Sequence, residues 1–338
     1  MYILYNTVRT NSQNYEKDYY MKRVTLKDIA NELNITVGAV SHALNGMSDI
    51  SKETSEKVFA AAKRLGYIPN NSAISLRLGK TGTVAIIVPD ISNPHIAYQI
   101  KLIEDRIKRE GYSVIIMNTN ENSDEEYSAI ISACRKQADG ILICPTQRGA
   151  ENILFLQKQN LPFILIGRFF KDYDFDYVCA DDLKGGFIAG RYLIGQGCKN
   201  PLYIGARKYV EASVNRFSGL KKAFGGCGIG LSESRFAEVD PTSKNLYEVY
   251  ESICEQKLPF DSIVFFSDLF AFKLMSRVKN IPFVSFDAVN AQLHIPCSLP
   301  SVGMIENGWA EKAADALLKK ISGSHEKTEE LIDVRLFH

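Results

Sequence analysis

Residues 24–45 read VTLKDIANELNITVGAVSHALN. The spacing predicts two short amphipathic helices joined by a tight polar turn. Thr25 is placed to cap the first helix, with Asp28 three residues on, and Ile29, Ala30 and Leu33 form its apolar stripe. Asn34-Ile35-Thr36 reads as the turn, with Thr36 as the second cap. Val37, Val40 and Leu44 recur along one face of the second helix. A helix-turn-helix whose second helix is small and polar on its outer side is a module for reading duplex DNA. Alone it is a weak signal, because many enzymes contain two helices so joined.

The next thirty-odd residues strengthen it. Residues 51–65 form a third amphipathic pattern, with Val58, Ala61, Ala62 and Leu65 inward and Gly66 as the stop. Residues 67–81 then read YIPNNSAISLRLGKT. The succession VTLKDIA (24–30), AVSHALNG (39–46) and Y-I-P-N-x-x-A-x-S-L-R-x-G-K-T resembles the LacI/GalR family of bacterial transcriptional regulators in order, spacing and position. The resemblance runs from about residue 21 to the C-terminus.

The bulk composition is compatible with this. A chain of 338 residues exceeds one ordinary domain, and 46% hydrophobic content is that of a soluble globular protein. The net charge of +1 is unevenly spread: residues 21–80 carry nine basic side chains against five acidic ones. A basic head on a near-neutral body fits phosphate contact by the head. Seven cysteines, an odd number without a C-x-x-C pair, point to a reducing, cytoplasmic setting. Cys144 and Cys179 lie in apolar stretches and read as core. No zinc constellation is present and no cofactor is expected. No apolar run approaches a membrane span, so no membrane partner is expected. Residues 1–20 lack the apolar core of a signal peptide. They are either a disordered tail or the product of an upstream start, since the family pattern opens at Met21-Lys22-Arg23.

Beyond Thr81 the pattern becomes an alternation of apolar runs and helical stripes. Strands are predicted at 83–88, 113–117, 140–144, 163–166, 201–205, 262–266, 282–286 and 330–337. Helices are predicted at 100–110, 125–136, 153–159, 183–194, 216–224 and 309–321. Continuous apolar strands alternating with helices argue parallel sheets built from βαβ units. The expected fold is therefore α/β, with an N-terminal helix-turn-helix headpiece of three helices (residues 22–68) after an extension (1–21). A hinge helix or linker comes next (69–81). The remainder (82–338) is a bilobed periplasmic-binding-protein-like core that serves effector binding and dimerisation. Its ligand cleft is expected at the C-terminal ends of the strands.

The resemblance implies roles for particular residues. With Val40 and Leu44 inward, Val37, Gly38, Ser41 and His42 face outward, toward base edges in the major groove. Family members set operator preference at the first two of these positions. Here Val37 offers only contact with a thymine methyl and Gly38 no side chain, so Ser41 and His42 carry more of the readout. The family's usual arginine and threonine are replaced by His42 and Ala39, which leaves the operator sequence open. Thr25, Asn45 and Lys52 are expected at phosphates. Asn70, Ala73 and Leu76 match the hinge helix, with Leu76 as an apolar wedge between central base pairs.

In the cleft, Ser92, Asn93 and His95 come after the first strand, where family members place ligand contacts. Arg216 matches the arginine that holds effector hydroxyls or carboxylates, and Asp287 the sugar-binding aspartate. Arg168 and Asp268 are further candidates. An arginine and an aspartate facing one cleft suit a polyol such as a sugar or sugar phosphate, although a purine or amino-acid derivative could use the same arginine. Cys198 stands where a histidine is usual, and the segment between Asp268 and Asp287 is short for the family.

The expected function is thus an effector-controlled repressor that binds operator DNA as a homodimer. The competing class is a periplasmic-type binding protein or a sugar-modifying enzyme on the same core. The first of these would carry a signal peptide and no headpiece. The second would need a base and a phosphate-cradling loop, and the chain has no P-loop, G-x-S-x-G or H-E-x-x-H.

Overall fold

The computed structural model describes residues 23–68, 79–278, 280–296, 298–304 and 308–338. They fall into two units, a small helical one and a large α/β one. The extension expected at 1–21 and nearly all of the hinge lie outside the described residues.

The small unit holds α1 (Leu26–Leu33), α2 (Val37–Leu44) and α3 (Lys52–Leu65). Asn34 takes a left-handed φ of 53° to make the turn, and Gly66, at φ 71°, stops α3 as its sequence predicts. Thr36 and Ser51 accept main-chain N–H bonds from Ala39 and Thr54 as caps. Ile29, Val40 and Val58 are completely buried, with Ala30, Ala43, Ala61 and Ala62 around them. Each full burial of such an aliphatic side chain contributes about 1.5–3 kcal/mol.

The large unit consists of two lobes, each around one sheet. The first lobe runs β1 (Thr83–Val88), α4 (Pro94–Arg109), β2 (Ser113–Asn118), α5 (Ser123–Arg135), β3 (Gly140–Ile143), α6 (Glu151–Lys158), β4 (Phe163–Ile166) and β5 (Tyr177–Ala180). The second runs α7 (Asp182–Gly195), β6 (Pro201–Ala206), α8 (Glu211–Gly225), β7 (Phe236–Val239), α9 (Leu246–Glu255), β8 (Ser262–Phe265), α10 (Asp268–Leu274), β9 (Phe283–Phe286), α11 (Val289–Gln292) and β10 (Ser301–Met304). The chain then gives α12 (Gly308–Ile321) to the first lobe, where Ala310, Ala313, Ala314 and Leu317 pack among Ile86, Ile103 and Leu142.

The stretch 330–337, expected as one strand, is two. β11 (Glu329–Ile332) pairs in parallel with β5 in the first sheet, and β12 (Val334–Phe337) pairs antiparallel with β10 in the second. The break is at Asp333, so the chain passes between lobes there as it does after β5. The sheets run β11-β5-β4-β3-β1-β2 and β12-β10-β9-β8-β6-β7, and apart from β12 every pairing is parallel. Helices cover both faces, which explains the unbroken burial of β1 beyond its first residue, β3 and β8. Thr81 ties the entry of the chain to this unit: its N–H donates to Asp139 Oδ1 at 2.9 Å and its hydroxyl to the Gln137 oxygen at 2.8 Å. Among the described residues no helix is long and apolar enough to cross a membrane.

Candidate nucleic-acid interface and ligand cleft

On the headpiece, α2 presents Val37, 43% exposed, at its first turn. Gly38 beside it is open: an added Cβ meets nothing nearer than Thr36 Oγ1 at 3.8 Å. The inward positions are Val40 and Ala43, so Val37 leaves the apolar face that periodicity assigns it. It sits at the margin of the stripe, in the first turn. Ser41 is half-buried and His42 exposed. His42 Nδ1 lies 2.6 Å from Asp49 Oδ2. A carboxylate accepts, so Nδ1 donates and Nε2 is the ring atom left for a base edge. Asn45 donates its amide to the Ser41 oxygen at 2.7 Å and caps the end of α2. The N–H and hydroxyl of Thr25 both donate to Asp28 Oδ2 at 2.7 Å. Lys52 is exposed at the start of α3. Asn70, Ala73 and Leu76 lie outside the described residues.

The cleft lies between the lobes of the large unit. Its free space, open mouth included, is about 920 Å³, within the size of small-molecule sites. Arg168, just beyond β4, lines it, fully engaged with Glu121: Nη2 donates to Oε1 at 2.6 Å and Nη1 to Oε2 at 2.9 Å. Nη1 also donates to the Pro145 oxygen at 3.0 Å. Burial opposes the guanidinium charge, and Glu121 more than offsets it, holding the group above its ordinary range.

Arg216 enters from the second turn of α8. Its placement depends on a backbone-to-backbone crossing of α7 and α8. A Cβ on Gly186 would stand 1.9 Å from the Arg216 main-chain oxygen, and one on Gly219 would stand 2.1 Å from that of Leu183. Only glycine permits this approach. Arg216 Nε donates to Asp182 Oδ1 at 2.7 Å and Nη1 to the Phe266 oxygen at 2.5 Å. The guanidinium carbon lies 4.9 Å and 4.4 Å from the ring centres of Phe266 and Phe286. Burial pushes the Asp182 carboxyl up, and Arg216 opposes that shift. Arg216 itself is disfavoured as a cation by burial, yet Asp182 and Asp287 raise its pKa.

Asp287 Oδ1 stands 3.9 Å from Arg216 Nη1. It sits in a left-handed turn, φ 99°, followed by Ala288 at φ 53°. Such backbone costs about 1–3 kcal/mol per residue and recurs at ligand sites. His95 faces it from α4, where Asn93 Oδ1 caps the helix by accepting from His95 N at 3.0 Å and Pro94 opens the first turn. The structure thus brings Asn93, His95, Arg168, Arg216 and Asp287 to one cavity.

Two expected cleft residues fall elsewhere. Ser92 is exposed, and its hydroxyl donates to Asp90 Oδ1 at 2.6 Å. Asp268 is completely buried, and its oxygens accept from the hydroxyl of Ser285, from that of Ser301 at 2.7 Å and from Val289 N–H at 2.7 Å. With every contact internal, Asp268 braces the turn that carries Asp287 and does not line the cavity. Cys179 is core as expected, whereas Cys144 is only partly buried and lines the cleft. Cys198 packs into the second lobe's core.

Several lining residues escape a reading of the sequence: Glu121, Asp182, Gln99, Trp309, Phe266 and Phe286. Among the described residues, Gln99 Oε1 and Trp309 Nε1 are buried with no protein partner. Such atoms are uncommon in native structures, and here they border a cavity. Trp309 is the chain's single tryptophan, which is a usable signal.

Comparison with known proteins agrees with this architecture. The family described as "Periplasmic binding proteins and sugar binding domain of LacI family" matches residues 81–325, and "Bacterial regulatory proteins, lacI family" matches residues 25–70. The chain belongs to the LacI family. This LacI-family chain is 30% identical to catabolite control protein A of Priestia megaterium over 69% of its own length and 70% of that protein. It is 26% identical to the HTH-type transcriptional repressor PurR of Erwinia tasmaniensis, covering 90% of this chain and 92% of the relative. Its fold is that of the lac repressor dimer solved with operator and the anti-inducer ONPF. The TM-score is 0.80 at 18% identity, covering 94% of this chain and 98% of that one. A complex of the regulator CelR with cellobiose aligns with a TM-score of 0.68 at 22% identity, over 94% and 99% of the two chains. The protein is a LacI-family transcriptional regulator with a sugar-binding-type domain.

Proposed function

We propose that this regulator is a repressor that binds operator DNA as a homodimer in the cytoplasm, and that a small polyol, a sugar or sugar derivative, controls it from the cleft. The observation that carries the ligand reading is the cavity itself. Arg216 and Asp287 stand 3.9 Å apart in it, beside Trp309 Nε1 and Gln99 Oε1, which have no protein partner among the described residues. The set offers donors and acceptors together, which suits hydroxyl groups that do both. The relative solved with cellobiose and the relative solved as a dimer on operator have the same fold. On the headpiece, Val37, Gly38, Ser41 and His42 are proposed to read base edges. Thr25, Asn45 and Lys52 are proposed to meet phosphates, and the hinge to bind DNA through Asn70, with Ala73 and Leu76 entering the minor groove. Binding rather than catalysis is the role assigned to the cleft.

The test is an anisotropy titration against the chain's own promoter duplex, repeated with a panel of sugars and sugar phosphates. Promoter affinity above that for a scrambled duplex, shifted by one member of the panel, is expected. Arg216→Ala and Asp287→Ala should each abolish the shift and leave DNA binding in place, since a buried polar group left unmatched costs about 1–3 kcal/mol. Equal affinity for promoter and scrambled DNA overturns the first half of the proposal. A ligand response intact in both variants overturns the second.

A further inference from the structure

His95 belongs to the first lobe and Gln292 to the second, and they meet across the cleft with Nδ1 and Oε1 3.2 Å apart. The other end of the same amide is committed: Gln292 Nε2 donates to the main-chain oxygen of Asp287 at 2.7 Å. A carbonyl oxygen only accepts, so the amide cannot be turned around without setting two acceptors against each other. Oε1 therefore faces His95, and Nδ1 must be the donor. In the neutral ring the hydrogen sits on Nδ1 and the lone pair on Nε2. That nitrogen has no protein partner among the described residues, and the ring lines the cavity.

The charges of the site point the same way. Among the described residues its cations are Arg168 and Arg216, and no lysine lines it. Glu121 binds Arg168 through both oxygens. Asp182 binds Arg216 at 2.7 Å, and Asp287 stands beside it. Asp90 adds a further carboxylate to the lining. An anionic ligand would have to draw an arginine away from a buried carboxylate and leave that carboxylate unpaired, or approach a site whose carboxylates outnumber its guanidinium groups.

We infer that Gln292 fixes His95 as the Nδ1–H tautomer, and that the cleft thereby selects an uncharged, hydroxyl-donating ligand over its phosphorylated or carboxylated counterpart. This rests on the reading of the cleft as the effector site and narrows it. His95 is then a specificity residue through Nε2, and Gln292 a positioning residue that acts through His95.

The tautomer is tested without any ligand. In a long-range ¹H–¹⁵N spectrum of the histidine-labelled full-length protein at alkaline pH, His95 is assigned by its loss in His95→Asn. A protonated-type shift at Nδ1 and an unprotonated-type shift at Nε2 are expected, with Gln292→Leu moving the ring toward the Nε2–H form. An Nε2–H ring in the unsubstituted protein overturns the inference whatever the sugars do. Calorimetry then compares D-ribose with ribose 5-phosphate, D-glucose with glucose 6-phosphate and gluconate, and cellobiose with cellobionate. Each neutral sugar that binds should exceed its anionic counterpart by about tenfold or more, the factor one unpaired buried group costs. A phosphate ester binding as tightly as its parent sugar overturns the charge selection. Binding that survives Arg216→Ala marks instead a failure of the effector-site reading.

Discussion

Asp268 shows how a residue can be placed correctly near a site and assigned the wrong task. Its carboxyl accepts from Ser285, Ser301 and Val289 while burial, followed by the nearby charge of Asp287, pushes its pKa up to about 7. Unfolded, an aspartate titrates near 3.9. Between about pH 4 and 7 the folded state thus holds a proton that the unfolded chain has released, and stability from this group falls as pH rises through that window. Below about pH 4 both states are protonated and the contribution is fully present. Asp268→Asn mimics the protonated form, so the melting temperature of the variant relative to the parent should climb from pH 5 to pH 8. A difference that stays flat across that range would show that Asp268 does not titrate with folding. The sequence shows a carboxylate at the head of a helix after a buried strand. It cannot show that two serines and a main-chain N–H from later segments close over it. Arg216, Asp287, Arg168 and His95 are legible because each comes after a strand or sits in a motif. Asp182, Gln99 and Gln292 are not, because their partners are remote in sequence.

At the level of elements, the crossing of α7 and α8 decides where Arg216 stands. Gly186 and Gly219 let the backbones touch, and Gly190 approaches Ala223 in the same way, an added Cβ lying 2.6 Å from that of Ala223. Gly186→Ala should therefore destabilise by about 1–3 kcal/mol or more, the range for overpacking. Gly195, at the end of α7, has nothing within 4 Å of an added Cβ. Gly195→Ala should be neutral or stabilising by up to about 1 kcal/mol through helix propensity alone. Thermal denaturation of the two variants separates the effects. Equal melting temperatures would mean that the crossing has room for a side chain. Helices with caps and stripes, α1 and α3 among them, are readable from sequence, and so is the long helix α12. So are the long apolar strands. β5, β7 and β10 are not: β5 is a short run between Asp176 and Asp181, β7 buries only its two end residues, and β10 carries Ser301 and Gly303. The final run 330–337 looks like one strand because both halves are apolar in alternation. The division at Asp333 reflects two sheets, which no local pattern records. Apolar periodicity starts α4 late because its first turn, Pro94-His95-Ile96, has the composition of a ligand loop. Asn93 as cap and Pro94 as first residue signal a helix there.

For the whole molecule, the proposal makes operator binding by the basic head and effector binding by the body parts of one thermodynamic system. Affinity for the promoter should fall steeply with salt, with a log–log slope of about −0.9 for each phosphate neutralised. The two lobes are tied by contacts that a ligand in the cleft can favour or oppose: His95 with Gln292, and Gln147 Oε1 accepting from Glu211 N–H at 3.1 Å. A ligand shifts the balance of lobe arrangements only by its difference in affinity between them. If that balance also sets operator affinity, the coupling is reciprocal. Whatever factor the effector imposes on operator binding, operator must impose the same factor on effector binding. The measurement is a pair of calorimetric titrations of the effector, one into free protein and one into protein saturated with promoter duplex, beside anisotropy titrations of DNA with and without effector. The two factors should agree within error, and Gln292→Leu should reduce both together, because it removes a contact between the lobes. A large effect of effector on DNA binding with no matching effect of DNA on effector binding cannot arise from coupled equilibria. It would mean that the ligand acts outside the cleft, by competing with DNA on the headpiece or by changing the assembly state.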